Sequence, residues 1–340
     1  RPPRSTLFPY TTLFRARDVL GLIELRADGY PGAHPVHFKN LTFRRPDVVL
    51  PEYQFLRDQA DVVILLSHVG FEEDVDMAMQ NPWLDAILGG HTHTLVEYPQ
   101  KHNGVIVTQA GSSLSHATLT LFTVDKGKVT DVKATTLDVK HFKKENAEMR
   151  AMLDEFNNSP RFNEALATAL TPFVRREELG CLVTDGMRWV TGADFALENT
   201  GGIRIDDLPA GPISVKDVYN IDPYGNDVVV YTMTGEQLEG FLMHSFMANG
   251  DWPSFVSGMT YTVNTDAKGK PKSVVIKPDL GRYSKNKQYK VAINSYMAST
   301  VRFESVDEGQ SQFMTSEEMV IQYLRELKTV SYKGIRRTFY

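Results

Sequence analysis

Two histidines separated by one residue, His91 and His93, follow an apolar run and a glycine pair in the stretch 87–94 (ILGGHTHT). A third histidine, His68, follows another apolar run. Neutral imidazole is a common ligand of zinc, manganese and iron, and glycine lets the backbone come close to a bound group. Three imidazoles at the ends of two adjacent strands would therefore make a metal site.

The elements that must position these histidines are the runs 61–66 (DVVILL) and 84–88 (LDAIL). Each predicts a buried strand, with residues 72–80 as a short helix between them. Polar loops follow both runs, and open α/β sheets place their ligands at such strand ends. The other histidines lack this context and are expected to be surface or packing residues: His34, His37, His102, His116, His141 and His244.

The order of these motifs resembles a known family. Ser67-His68-x-Gly70 followed by Gly89-Gly90-His91-Thr92-His93 is similar to the second half of the calcineurin-type metallophosphoesterase motif set. The resemblance implies that His68 and His91 share one divalent ion, zinc, manganese or similar, and that His93 binds a second. Two ions about 3.5–4 Å apart would clamp a phosphoryl group and generate a hydroxide nucleophile. Either motif alone is weak, because a strand-end histidine is more often a hydrogen-bonded structural residue.

The earlier motifs of that family, an Asp-x-His, a bridging aspartate and an Asn-His, have no counterpart in the sequence, so no catalytic residue is identifiable. Residues 1–15 (RPPRSTLFPYTTLFR) have neither a helical nor a strand period and look like translated adapter sequence. We therefore expect residues 16–142 to be the C-terminal part of an N-terminally truncated metallophosphoesterase domain. We also expect weak metal binding and little hydrolysis, because neutral imidazoles do not offset the repulsion of two dications.

A second set of short motifs identifies the later half of the chain. The motifs include Asp185-Gly-Met-Arg188, Glu198-Asn-Thr-Gly-Gly-Ile-Arg204, Gly211-Pro-Ile-Ser214, Pro223-Tyr-Gly-Asn226 and Thr234-Gly235. Their order, from about residue 171 to 328, resembles that of the 5'-nucleotidase C-terminal domain. Each is weak alone, but their shared order is specific, and the chain is therefore similar to bacterial 5'-nucleotidases.

Arg204 and Tyr224 are candidate nucleotide-binding residues on physical grounds as well. The glycine pair before Arg204 frees the loop, and a guanidinium matches phosphate or ribose oxygens as a bidentate fork. The alternative is a glycine turn with a surface arginine. Pro223 and Gly225 place Tyr224 on a rigid turn, where its ring could stack on a nucleobase or pack on its own domain.

The resemblance implies the remaining nucleotide contacts. Tyr224 and Tyr296 would be the two walls of an aromatic base clamp, Asn226 would hydrogen-bond the base, and Gly258 would mark a close backbone approach. Stacking contributes roughly 1–3 kcal/mol per base and tolerates every base. The sequence departs from the family at 300–302, where Thr-Val-Arg replaces Gly-Gly-Asp. An arginine in place of the aspartate would favour a more anionic ligand.

The composition is that of a soluble protein with room for two domains. The 340 residues are 42% hydrophobic and 23% charged, and the net charge of -5 disfavours a nucleic acid polymer as partner. Cys181 is the only cysteine, which excludes an intrachain disulfide and a cysteine-based metal site. No apolar run approaches the roughly 20 residues that span a bilayer, so the chain contains no predicted membrane span.

These observations predict a mixed α/β (α+β) fold. A partial metallophosphoesterase β-sandwich flanked by helices would occupy residues 16–142, linker helices 143–170, and a mixed α/β nucleotide-binding domain 171–340. The predicted function is metal-dependent hydrolysis of nucleotide phosphoesters such as AMP, with a periplasmic or cell-surface location by resemblance. The alternatives are a non-hydrolytic nucleotide-binding or nucleoside-binding module, a 2',3'-cyclic-nucleotide phosphodiesterase, and a nucleotide-sugar hydrolase.

Overall fold

The computed structural model describes residues 44–248, 252–301 and 307–340. The segment 1–15, interpreted above as adapter sequence, and Arg302 of the 300–302 replacement lie outside these residues. The chain divides into two units, the first ending at Glu145 and the second running from Asn146 to Tyr340. Both units mix helices and sheets, so the predicted mixed α/β class is confirmed.

The first unit contains a four-stranded sheet and a two-stranded hairpin. Its helices are α1 (Pro46–Val49), which continues into a 3-10 helix (Leu50–Asp58), and α2 (Phe71–Gln80). Its strands are β1 (Ile64–Leu66), β2 (Ala86–Leu88), β3 (Gln100–His102), β4 (Val105–Thr108), β5 (His116–Asp125) and β6 (Lys128–Asp138). The sheet order is β1-β2-β4-β3, and β5 and β6 form the hairpin.

The strands that carry the histidine motifs are parallel neighbours. Ile64 pairs with Ala86 and Leu66 with Leu88, so the carboxyl ends of β1 and β2 leave the sheet at the same edge. Both strands are shorter than the apolar runs that predicted them. Their buried side chains pack with α2 in one core, formed by Leu50, Val63, Leu65, Val69, Met77, Ala78, Leu84, Ile87, Val105 and Val107.

The second unit contains three sheets and six helices among its described residues. The helices are α3 (Ala147–Asn157), α4 (Arg176–Thr191), α5 (Val215–Ile221), α6 (Gly235–Ala248), α7 (Ser295–Thr300) and α8 (Ser316–Leu327). The first five strands are β7 (Ala165–Ala169), β8 (Phe195–Glu198), β9 (Gly211–Ser214), β10 (Asp227–Thr234) and β11 (Phe255–Ser257). The other six are β12 (Met259–Thr265), β13 (Pro271–Pro278), β14 (Gln288–Asn294), β15 (Gln310–Thr315), β16 (Thr329–Val330) and β17 (Thr338–Phe339).

A five-stranded sheet with the order β11-β8-β14-β10-β15 forms the centre of this unit. Two three-stranded sheets, β13-β12-β17 and β16-β7-β9, accompany it. Helix α4 packs closely in the core because two of its residues are glycines. A Cβ on Gly180 would lie 2.2 Å from the Phe255 ring, and one on Gly186 would lie 3.0 Å from Val320 Cα. Within the described part of the chain, no helix has the length and apolar character needed to cross a bilayer.

Residues 143–170 do not form the predicted pair of linker helices. Only α3 forms, and the side chain of Asn146 caps it by accepting a hydrogen bond from Met149 N–H at 2.9 Å. Near the end of the segment, Ala165–Ala169 form strand β7, which pairs with β9 and β16. Its ALATA sequence has little β propensity of its own, so pairing with two neighbouring strands overrides the local preference.

Candidate functional site

The strand ends of the first unit bring two of the three predicted metal ligands together. The ring centroids of His68 and His91 are 5.3 Å apart, with an interplanar angle of 71°. Gly90 makes this approach possible, because a Cβ there would lie 2.9 Å from His68 Nδ1. His68, His91 and His93 are all exposed, so their imidazoles are accessible from solvent.

The loop that carries the histidine pair has an unusual backbone. His91 and His93 have φ values of 78° and 57°, in the left-handed region that non-glycine residues rarely adopt. Gln109 fixes this conformation from the neighbouring strand end, because its Nε2 donates to the Gly90 carbonyl at 2.7 Å and its Oε1 accepts from Thr94 N–H. Strained backbone that is held by its surroundings is common at functional sites.

A buried carboxyl group lies against this loop. Asp74 of α2 is fully buried, and neither of its oxygens has a hydrogen-bond partner in the described part of the chain. The carboxyl occupies the space that a side chain at position 89 would need, since a Cβ on Gly89 would lie 2.0 Å from Asp74 Oδ2. Burial raises the pKa of Asp74 to about 6, and the nearby Ser67 hydroxyl limits the rise without reaching hydrogen-bond geometry.

These groups fit only part of a divalent metal site. The two imidazole rings meet edge to face, and a buried carboxyl group lies against the loop of His91. Within residues 44–248, 252–301 and 307–340, no three His, Cys, Asp or Glu side chains are grouped so that they could hold a metal ion. The assignment of His68 and His91 to one ion and of His93 to a second stays a prediction.

In the second unit, three loops meet at one edge of the five-stranded sheet. Strands β8 and β14 are parallel, with Leu197 opposite Ile293, so the residues after Glu198 and Asn294 leave the sheet together. Strand β10 is antiparallel to β14 and begins at the same edge, with Val228 opposite Asn294. The loop 199–204 and helix α7 (Ser295–Thr300) therefore begin at this edge, and the loop 222–226 ends there.

Arg204 and Tyr224 are brought into direct contact at this edge. The guanidinium carbon of Arg204 lies 5.9 Å from the centroid of the Tyr224 ring, within cation–π distance. The backbone N–H of Arg204 donates to the Ile221 carbonyl at 2.8 Å, which joins the two loops. The Tyr224 side chain remains 54% exposed, so its ring is accessible to a ligand.

Asn226 and Tyr296 lie on adjoining segments. The Ser295 hydroxyl donates to Asn226 Oδ1 at 3.1 Å, which connects the turn after Tyr224 to the helix that carries Tyr296. Tyr296 is 49% exposed. The structure thus brings together four of the five predicted nucleotide-binding residues. We call these four residues the aromatic edge: Arg204, Tyr224, Asn226 and Tyr296.

Gly258, the fifth predicted residue, lies at the opposite end of β8. Strand β11 is antiparallel to β8, with Ser257 opposite Ala196, so Gly258 comes beside Asp194. A Cβ on Gly258 would lie 2.3 Å from the Asp194 carbonyl oxygen, and its φ is +82°. At about 3.3 Å per residue, a four-residue strand places it roughly 13 Å from the aromatic edge. In the described structure Gly258 forms the bend between β11 and β12, which belong to different sheets, and it does not join the other four residues.

Sequence reasoning missed three carboxyl groups beneath the aromatic edge. Glu198, Asp222 and Glu317 are 0%, 1% and 0% exposed. Burial, followed by the neighbouring carboxyls, raises the pKa of Glu198 well above its usual value and that of Asp222 to about 6. In the sequence each is an ordinary acidic residue beside a loop or a helix start, so neither spacing nor residue type indicates burial.

Comparison with known proteins gives a family match for the second unit and relatives for most of the chain. Residues 163–304 match the family described as 5'-nucleotidase, C-terminal domain. The chain is 29% identical over 273 residues to the Trifunctional nucleotide phosphoesterase protein YfkN of Bacillus subtilis (strain 168), covering 71% of this chain and 18% of that protein. It is 27% identical over 300 residues to Protein UshA of Escherichia coli (strain K12), covering 69% of this chain and 54% of that protein.

A solved structure supports the same relationship. The 5'-nucleotidase precursor from Thermus thermophilus superposes with a TM-score of 0.71 at 25% identity, over 88% of this chain and 68% of that one. The resemblance read from the sequence motifs is therefore confirmed. The present chain spans about half or less of the length of the two curated relatives, at 54% and 18%.

Proposed function

We propose that this chain is part of a metal-dependent phosphoesterase of the 5'-nucleotidase family, whose second unit binds the nucleoside portion of a nucleotide. The observation that carries the proposal is the aromatic edge. Arg204 lies over the Tyr224 ring, and Asn226 is connected to the segment that begins with Ser295 and continues with Tyr296. Residues from three separate loops are thus assembled into one accessible surface.

The chemistry of this edge suits a nucleoside. The tyrosine rings offer stacking faces worth roughly 1–3 kcal/mol per base, which every base can use. The Asn226 amide can both donate to and accept from a base edge, and the Arg204 guanidinium can donate to ribose or phosphate oxygens. AMP is the simplest nucleotide that presents all three of these groups, and we propose it as a substrate.

In the same proposal, His68 and His91 bind one divalent ion, zinc or manganese, and His93 binds a second. Such ions polarise a phosphoryl oxygen and lower the pKa of a bound water. The loop fixed by Gln109 holds the imidazoles in place, and the Asp74 carboxyl against that loop contributes negative charge close to the site.

Calorimetric titration of the 340-residue chain with adenosine and with AMP tests the binding proposal. Tyr224→Ala and Tyr296→Ala should each weaken binding by roughly 1–3 kcal/mol, because each removes one stacking face. Tyr98→Ala is the matched control, since Tyr98 is an 80% exposed tyrosine of the first unit. Equal affinities in all four proteins would contradict the proposed clamp.

Metal content tests the histidine assignment. After equilibrium dialysis against zinc or manganese, His91→Ala should carry less bound metal per chain than the wild type. His141→Ala is the control, because His141 is an exposed histidine outside the two motifs. Metal content unchanged by the His91 substitution would rule out this site.

A binding module that captures nucleosides without hydrolysing them is the second candidate, favoured by the assembly of the recognition residues within the second unit alone. Phosphate release from AMP with manganese and with a chelator separates the two. Metal-dependent release supports the phosphoesterase, whereas AMP binding that ignores the chelator and releases no phosphate supports the module. Parallel assays with 2',3'-cyclic AMP and UDP-glucose distinguish the phosphodiesterase and nucleotide-sugar alternatives.

The proposed location is the periplasm or the cell surface, following the family resemblance. Fractionation of source cells into envelope, periplasmic and cytoplasmic material, followed by detection of the chain, tests it. Recovery only with the cytoplasmic fraction would contradict this location.

A further inference from the structure

Three buried carboxyl side chains beneath the aromatic edge come from different parts of the chain. Glu198 is the last residue of β8, Asp222 follows α5, and Glu317 lies in the first turn of α8. All three are at most 1% exposed. We call these three side chains the carboxyl cluster.

Asp222 and Glu317 hold the turn that carries Tyr224. The N–H of Gly225 donates to Glu317 Oε1 at 2.6 Å, and the N–H of Tyr224 donates to Asp222 Oδ1 at 3.4 Å. The hydroxyl of Ser316, the residue before Glu317, donates to Asp222 Oδ2 at 2.6 Å and so ties Asp222 to the start of α8. Their position therefore sets the position of the tyrosine turn.

Glu198 contacts the other two segments of the aromatic edge. The side-chain amide of Asn294 donates to Glu198 Oε1, and Asn294 Oδ1 accepts from Met297 N–H at 2.7 Å in the helix that carries Tyr296. The loop before Arg204 packs against the same carboxyl oxygen, since a Cβ on Gly202 would lie 2.1 Å from it. All three loops of the aromatic edge thus rest on the carboxyl cluster.

The carboxyl cluster has no basic partner in the described part of the chain. None of the ion pairs found there includes any of its three members. The charged groups that face Glu198 are Asp222 and Glu317, while β11 places Phe255 opposite it and β14 contributes Asn294, neither of which titrates. Burial and neighbouring carboxyl groups, with no basic partner nearby, favour the neutral form of a carboxyl group.

Glu198 is the member that keeps its proton. Its burial is complete, and the pKa of its carboxyl is raised well above the ordinary value first by that burial and then by Asp222. Oε1 accepts from Asn294, and Oε2 is buried without a hydrogen-bond partner among the described residues. An ionised Glu198 would therefore be a buried charge with neither a basic partner nor donors to Oε2, a cost that the neutral acid avoids.

We propose that Glu198 is a positioning residue that acts in its neutral form, holding the loop of Arg204 and the helix of Tyr296 where a nucleoside needs them, while Glu317 is the acceptor that holds the Tyr224 turn. The inference rests on the proposed function, because this positioning matters only if the aromatic edge binds a nucleoside. A neutral glutamate and a glutamine both present an accepting oxygen to Asn294 and a donor on the other atom. Glutamine at position 198 therefore reproduces the proposed state.

Adenosine binding by the 340-residue chain, measured by calorimetry, tests this role. Adenosine replaces AMP as the probe because a phosphate group titrates near neutral pH. Glu198→Gln should bind within about twofold of the wild type, whereas Glu198→Ala should bind about tenfold more weakly because it leaves the Asn294 amide without its acceptor. Glu326→Gln is the control, since Glu326 is an exposed residue on α8.

Each contrary outcome has a separate meaning. Wild-type affinity in Glu198→Ala would show that Glu198 positions nothing, and equal losses in the alanine and glutamine variants would show that the ionised form is needed. Either result overturns the inference and leaves the proposed function standing. Failure of the wild-type chain to bind adenosine overturns the proposed function and the inference together.

Melting temperature provides a second test that needs no ligand. A carboxyl with a raised pKa keeps its proton in the native state after the unfolded chain has lost it, so wild-type stability is full below about pH 4.3 and falls as the pH rises. Glu198→Gln has no such loss. Its gain in melting temperature over the wild type should therefore be larger at about pH 8 than at about pH 5, and an equal gain at both would overturn the inference.

Discussion

The two candidate sites each contain a buried aspartate, and among the described residues only one of the two has hydrogen-bond partners. Asp74 in the first unit is fully buried, and neither of its oxygens is hydrogen-bonded to another described residue. Asp222 in the second unit is 1% exposed and accepts from the Ser316 hydroxyl and the Tyr224 N–H. Burial is the main cause that raises the pKa of each to about 6. Hydrogen bonds thus offset the desolvation of Asp222, and within the described part of the chain none offsets that of Asp74.

The same two regions share a close contact between a glycine and a buried carboxyl group. In each, a loop glycine lies so close to a carboxyl oxygen that a Cβ would approach it to 2.0 Å at Gly89 and 2.1 Å at Gly202. In the first unit the carboxyl belongs to Asp74, and in the second it belongs to Glu198. In both regions the loop packs on a carboxyl group. Among the described residues, hydrogen bonds hold that carboxyl group in place only in the second unit.

The largest effect is expected from a methyl group at this contact in the second unit. Gly202→Ala should lower the free energy of unfolding by about 3 kcal/mol and abolish measurable adenosine binding, because the Glu198 carboxyl must move. Gly201→Ala is the control, since the nearest atom to its Cβ would be 3.5 Å away. Urea denaturation and calorimetry measure both quantities. Similar behaviour of the two variants would mean that the contact with Glu198 is unimportant.

Exchanging each buried aspartate for asparagine tests the contrast directly. Because the pKa of each aspartate is raised, ionising its carboxyl group costs more in the folded protein than in the unfolded chain. The free energy of unfolding is therefore unaffected below about pH 4 and falls as the pH rises to about 6. Asp74→Asn loses no hydrogen bond, so at pH 8 it should raise the free energy of unfolding by about 2 kcal/mol, and by little at pH 4. Asp222→Asn should gain less, because it also disturbs the Ser316 contact.

Urea denaturation at the two pH values, followed by tryptophan fluorescence, measures this difference. Trp83 reports on the first unit, and Trp189 and Trp252 report on the second. If Asp74→Asn changes stability equally at both pH values, the Asp74 carboxyl does not titrate as its burial requires. If Asp222→Asn gains as much as Asp74→Asn, the hydrogen bonds to Asp222 contribute nothing.

A smaller effect is expected where the first unit does have a supporting network. Gln109→Leu removes the hydrogen bonds to the Gly90 carbonyl and the Thr94 N–H, and should lower the free energy of unfolding by about 1–2 kcal/mol. Metal binding should fall with it, because the loop of His91 loses its support. Gln100→Leu, at an exposed position of β3, is the control in denaturation and dialysis experiments. Unchanged metal binding would show that binding does not depend on the loop conformation that Gln109 supports.

The smallest effect is expected at the surface of the aromatic edge. Arg204→Lys keeps the positive charge but loses the planar guanidinium over Tyr224, and should weaken adenosine binding by about 0.5–1 kcal/mol. Arg282→Lys, at an exposed position elsewhere in the second unit, is the control for calorimetry. A loss above tenfold would mean that Arg204 contacts the ligand more directly than its distance to Tyr224 indicates.

Much of the fold could be predicted because its signals are local. The apolar run before His68 and the run before Gly89 became parallel neighbours, and helix α2 (Phe71–Gln80) covers the predicted helix 72–80. The strand at 165–169 could not be predicted, because its two partner strands come from β9 and β16, far along the chain. The assignment of site residues as ligands and clamp walls stays a prediction until binding is measured.

The candidate site was only partly accessible to sequence reasoning. Motif order pointed to Arg204, Tyr224, Asn226 and Tyr296, which the structure assembles at one edge. Motif order also pointed to Gly258, which β11 carries to the other end of β8 because it runs antiparallel. A motif match specifies residue types but not the strand direction that decides where each residue arrives.

Residue type, periodicity and motif order are local properties of the chain, and they were enough to predict the resemblance to 5'-nucleotidases, the mixed α/β class and the chemical groups available for binding. Which of those groups meet depends on contacts between residues that are distant in the chain. Gly225 and its acceptor Glu317 are 92 residues apart in the chain, and Asn294 and Glu198 are 96 apart. Burial follows from such long-range packing, so the raised pKa values of Glu198 and Asp222 arise from their surroundings and cannot be inferred from residue type alone.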